Sequence, residues 1–137
     1  MTNSHSSWRV GIVTIMLAPL LLAGCGSDEP PAVCSSVDDL KASVETVTTV
    51  ELGQGVLAEL RGNLEKVRSD LGTVRDDAGD EYSAEIDSVD QAAEAVGTSV
   101  RAALTSPSSE AISAIGADIE QLGTSLSSLT EAVSSTC

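Results

Sequence analysis

The chain has 137 residues, 21 of them Asp or Glu and seven Lys or Arg, so its net charge is −14. A surface of that sign repels phosphate backbones and anionic headgroups, which excludes nucleic acid as a partner. Trp8 and Tyr82 are the only aromatic residues and Phe is absent, which excludes stacking platforms for bases or sugars.

The first 25 residues read as an address. Arg9 is the only side-chain cation before Cys25, no acid precedes that cysteine, and Val10 to Leu22 is an apolar run. The run is too short to span a bilayer comfortably, and the small residues after it mark a cleavage point, as in a secretory signal. The ending Leu22-Ala23-Gly24-Cys25 resembles the lipobox of bacterial lipoproteins. That resemblance implies a signal peptide over residues 1–24, cleavage between Gly24 and Cys25, and a diacylglycerol on the Cys25 thiol. It implies a chain held by lipid at the extracytoplasmic face of the cell membrane. The plainer alternative is a chance cysteine after an ordinary signal peptide.

Cleavage there would remove Met1, His5, Trp8 and Met16, leaving no His, Trp, Met or Phe. Histidine is the commonest general base and metal ligand at neutral pH. Its loss excludes hydrolase triads built on a His base, Cys/His zinc sites and Glu-x-x-His di-iron sites. We therefore expect no enzyme, no cofactor and no metal. Loss of Arg9 leaves six cations against 21 acids, a net −15.

Residues 25–33 form a polar lipidated tether, Gly26 to Val33, stiffened by Pro30-Pro31. Its eight residues reach at most about 25–28 Å. The expected domain runs from 34 to 137. With Cys25 given to lipid, Cys34 and Cys137 remain, an even pair in a compartment where disulfides persist. One intramolecular bridge is then available, closing nearly the whole domain. An intermolecular bridge or two free thiols are the alternatives.

The body of the chain reads as helix throughout. Ser35 and Ser36, followed by Asp38 and Asp39, suit an N-cap with acids in the first turn, giving a first helix over 36–52 along Val37, Leu40, Val44 and Val47. Gly53 and Gly55 break it. Leu57, Leu60, Leu64, Val67, Leu71, Val74 and Ala78 step 3, 4, 3, 4, 3, 4, a heptad stripe ended by Gly79 as a left-handed cap. Tyr82, Ile86, Val89, Ala93, Val96, Val100 and Ala103 repeat the code. Ser106 as N-cap with Pro107 at the first helical position restarts it. Ile112, Ile115, Ile119, Leu122, Leu126, Leu129 and Val133 form the fourth stripe.

Short connections force neighbouring helices to run antiparallel. The expected fold is all-α: an up-down-up-down antiparallel bundle of three long helices plus a shorter N-terminal one, closed by a disulfide. That topology brings Cys34 and Cys137 to one end. A three-helix core with the first helix lying across one end is the alternative.

Arg61, Arg68 and Arg75 recur every seven residues beside the second stripe, three of the six cations after Cys25. The plain reading of this candidate ion-pair ladder is pairing with Glu85, Asp87, Asp90 or Glu94 on the third helix; the functional reading is a ladder for an anionic polymer or acidic partner. Asp76, Asp77, Asp80 and Glu81 surround Gly79, and the plain reading there is a solvated loop rather than a calcium site, since EF-hand spacing is absent. Gly97, Gly116 and Gly123 flank the third and fourth stripes and read as points of close helix approach, with a ligand groove as the alternative. Lys41 and Ser43 lie two apart, on different helix faces, and make no catalytic pair.

Taken whole, the chain resembles small Ala/Ser/Val/Asp-rich lipoproteins of high-GC Gram-positive bacteria, on Leu22-Ala23-Gly24-Cys25 and on Cys34-Ser35-Ser36-Val37-Asp38-Asp39-Leu40 with Cys137. The resemblance implies an envelope location. The expected function is a structural or protein-interaction bundle, with the membrane engaged through Cys25 and a protein or envelope partner. A carrier of lipid or another apolar ligand in the bundle core is the alternative.

Overall fold

The computed structural model describes residues 29–137. Gly24, Cys25 and the whole expected signal peptide lie outside the described residues. Within them the fold is all-helical: α1 spans Ala32–Thr48, α2 Leu57–Ala78, α3 Ser83–Thr105 and α4 Ser109–Val133, with a short 3-10 turn over Gln54–Val56 and no strand among the described residues.

The four apolar stripes become one core. Leu40, Val47, Leu60, Val67, Val74, Ile86, Val89, Ala93, Val96, Ile115, Leu122 and Leu129 are each fully buried. Fully burying a Leu, Ile or Val side chain contributes about 1.5–3 kcal/mol, so the seam dominates the folding energy. α1 packs on α2, α2 on α3, α3 on α4, and α4 back on α1. Ala78, Tyr82 and Ile112, at the stripe ends, are only partly buried against this core.

Two helix starts differ from expectation. α1 begins at Ala32 with Pro31 as N-cap and no side-chain cap, so Ser35 and Ser36 sit inside the helix and donate to the Ala32 carbonyl at 3.0 and 3.1 Å. Val33 is buried, and it extends the apolar stripe backwards by one step of four. That added burial outweighs the capping signal, and it makes Ala32 and Val33 the first turn of the bundle instead of tether. The helix ends at Thr48, short of residue 52, where the hydroxyls of Thr48 and Thr49 bond back to the Glu45 carbonyl. A run of β-branched residues there weakens helix propensity.

α4 is capped by Ser108, not Ser106: its side chain accepts from the Ala111 N–H at 3.1 Å, and Glu110 lies in the first turn. Pro107 disfavours helical geometry in the residue before it. Ser106, at φ −139°, thus closes α3, and Ser108 is the next residue able to cap.

Between α2 and α3 the chain turns within four residues. Gly79 adopts φ +60° and ψ −130°, a region open essentially to glycine alone. Tyr82 also has positive φ, at 61°, a conformation that costs a non-glycine residue about 1–2 kcal/mol. It is held by packing against the core and by a hydrogen bond between its hydroxyl and Thr136 Oγ1.

Candidate functional site

The end of the molecule near Tyr82 gathers three segments. Ser36 on α1 donates to Asp77 on α2, Tyr82 meets Thr136 beyond α4, and the sulfurs of Cys34 and Cys137 are within disulfide distance, their Cα atoms 5.6 Å apart. The first turn of α1, the last of α2 and the tail of α4 therefore share one end. Both cysteines lie at this end, where Cys34 directly follows the expected tether and Cys137 is the last residue.

Beside its apolar stripe, α2 carries a polar flank on each side. On the α1 side, Asn63, Asp70 and Asp77 recur every seven residues, matching Ser36 and Ser43 of α1. Ser36 donates to Asp77 and Ser43 to Asp70. Both serines are buried, so these pairs fix the register between the two helices. Burial raises the Asp70 pKa, but hydrogen bonds from Lys66 and Ser43 together with the Lys66 charge outweigh it and hold the carboxyl below its usual range. The next serine position in this line is occupied by Val50, past the end of α1. Asn63 Nδ2 is accordingly buried without a hydrogen-bond partner among the described residues. Similar pairs join α3 and α4: Ser99 donates to Asp118, and Ser88 to Ser125 at 3.1 Å.

The α3 side carries Arg61, Arg68 and Arg75. Arg75 reaches across to Asp87 at 3.1 Å and Asp90 at 3.8 Å. Arg61 turns to Glu65 on its own helix at 3.8 Å. Arg68 has no carboxylate oxygen within 4.0 Å among the described residues. Its guanidinium lies against α3 at Gly97, where an added β-carbon would be 3.3 Å from Nη2. The three arginines therefore do not form one paired ladder. The line is paired at Arg75 and open at Arg68.

Beside Arg68 lies a cleft of about 110 Å³ lined by Arg61, Leu64, Glu65, Arg68, Gly97, Val100 and Arg101. Arg101 was not among the residues singled out from sequence. Its signal was the heptad Asp87, Glu94, Arg101 on α3, acidic at one end and basic at the other. Arg101 donates to Thr98 Oγ1 on its own helix at 3.2 Å.

The remaining candidates resolve differently. Gly116 accommodates Leu52, whose Cδ1 lies 3.6 Å from where a β-carbon would sit, and the space at Gly123 is open to 4 Å. Neither glycine mediates close approach of two helix backbones. In the acidic turn, Asp77 is engaged by Ser36, and no three His, Cys, Asp or Glu side chains among the described residues are grouped to hold a metal ion. The groove where α1 and α4 meet is lined by Lys41, Leu126, Ser127, Thr130, Glu131 and Ser134, with Leu126 its sole apolar side chain. Among the described residues no helix is long and apolar enough to cross a membrane. Compared with protein-family models, curated proteins and solved structures, the chain matches none.

Proposed function

We propose that this protein is a lipid-anchored module of the cell envelope, a non-catalytic bundle that presents its helical faces to a protein or envelope partner. Residues 1–24 direct export and are removed before Cys25, whose lipid holds the chain at the outer face of the cell membrane. Buried acyl chains contribute about 0.8 kcal/mol per CH₂. The helices run up-down-up-down and antiparallel. The pairs Ser36–Asp77 and Ser43–Asp70, Arg75–Asp87 with the Arg68–Gly97 contact, and Ser88–Ser125 with Ser99–Asp118 support this topology, since numbering rises on one helix as it falls on its neighbour.

The observation that carries the reading is the position of Cys34 and Cys137, together at the bundle end where the tether enters. A bridge there closes the domain beside its anchor, suits an oxidising compartment and leaves the far end pointing away from the membrane. The acidic surface keeps the domain off an anionic bilayer. The fully buried Leu, Ile and Val of the seam support an interaction module over a carrier that holds an apolar ligand in the bundle core.

Growing cells with an alkyne-tagged fatty acid tests the reading. The wild-type chain is expected to take the label and fractionate with membranes, and Cys25→Ser to lose both. A labelled Cys25→Ser chain, or an unlabelled wild type, would overturn it. Vesicle flotation checks the stand-off: the Cys25→Ser chain should stay unbound to anionic vesicles.

A further inference from the structure

We propose that the cleft between α2 and α3 formed by Arg61, Arg68 and Arg101 over Gly97 is a binding site for a small phosphate ester. Three arginines from two helices line one cavity, with Glu65 the single acidic residue among them. In a chain with seven cations against 21 acids, this is an excess of two positive charges at one point. No α3 carboxylate neutralises Arg68, although Asp87 and Asp90 do so for Arg75 one heptad away. An arrangement serving only to hold two helices together would repeat the Arg75 pairing.

Gly97 shapes the floor. Any side chain there would press on the Arg68 guanidinium, so the bare backbone lets that group lie against α3. Guanidinium forks match the oxygens of phosphate bidentately, and a phosphate monoester offers three terminal oxygens where a carboxylate has two. The apolar sides, Leu64 and Val100, suit the carbon part of an ester.

Charge and place select the ligand. The overall field of the protein repels a polyanion, but beyond about 8 Å that field is screened at physiological salt. A small monoester therefore meets the arginines without paying for the whole acidic surface. Arg68 and Arg61 lie nine and 16 residues along α2 from Asp77, which touches Ser36, so at 1.5 Å per residue they are about 14 and 24 Å from the cysteine end. If that end carries the anchor, as proposed above, the cleft stands clear of the lipid headgroups and its source of phosphate is a soluble ester. Only this choice of source rests on the anchoring reading.

The test is an NMR titration of the full chain carrying Cys25→Ser with glycerol phosphate and, separately, inorganic phosphate, at constant ionic strength. Saturable shifts at the Gly97 amide and the Nε–H groups of Arg61, Arg68 and Arg101 are expected, with affinity falling about tenfold in Arg68→Gln and in Arg101→Gln. Gly97→Ala keeps every charge and favours helix, yet it should weaken binding by moving Arg68. Unchanged helicity by circular dichroism shows that each variant folds. Absence of saturable shifts, or equal affinity in all variants, overturns the site. In a second arm, binding to phosphatidylglycerol vesicles that Arg68→Gln abolishes supports the phosphate site and overturns the soluble source.

Discussion

Ser43 on α1 donates its hydroxyl proton to Asp70 on α2, and Asp70 also accepts from Lys66 at 2.8 Å. One buried serine, one carboxylate and one exposed lysine thus tie two helices at a defined register. Because the folded-state pKa of Asp70 lies below the ordinary 3.8, its contribution to stability is fully present above that value and disappears as pH falls through the folded one. Asp70→Asn should remove this part of the acid sensitivity. Urea unfolding of both chains from neutral pH to below pH 3.8 checks it: the stability gap should be widest at neutral pH and shrink on acidification.

Asn63 continues the Asp70 and Asp77 line but meets no serine, and its buried amide nitrogen has no partner among the described residues. Replacing an orphaned donor with an apolar group of similar size avoids its desolvation cost of about 1–3 kcal/mol. Asn63→Leu should therefore raise the urea midpoint, against the usual trend for a point substitution. A fall in the midpoint would show that the amide finds a partner in solution.

The capping assignments are separable by alanine. Ser108→Ala should cost about 1 kcal/mol, since it removes the acceptor for the Ala111 N–H. Ser106→Ala should stay within about 0.5 kcal/mol, because Ser106 closes α3 through its backbone N–H. Equal losses at the two positions would return the cap to Ser106.

These positions also show what was legible in the sequence. The stripes on α2, α3 and α4 were readable residue by residue because burial of Leu, Ile and Val imposes the heptad directly. Helix starts were less so: at Val33 an added buried residue competed with the Ser35–Ser36 capping signal, and at Ser106 the restriction imposed by Pro107 competed with its fitness as a first helical residue. The Ser–Asp pairs were invisible, since spacing of seven on one helix carries no meaning until its partner helix and register are known. Arg101 was missed for the same reason: it joins Arg61 and Arg68 only across the α2–α3 seam.

A bridge between Cys34 and Cys137 closes a loop of sequence separation 103. Chain entropy for such a loop gives about 4–5 kcal/mol as an upper value. Cys137→Ser should lower the urea midpoint by a matching amount, and added reductant should then change the variant no further. Reductant that destabilises wild type and variant equally would argue against the intramolecular bridge.

The most direct test of the anchored, bridged bundle is intact and peptide-level mass spectrometry of the protein extracted from membranes without reductant. The expected result is a chain beginning at Cys25 with a diacylglycerol on that residue, and a single crosslinked peptide joining Cys34 to Cys137. A chain that retains residues 1–24 or carries an unmodified Cys25 would contradict the anchor. Free thiols at Cys34 and Cys137 would contradict the closure.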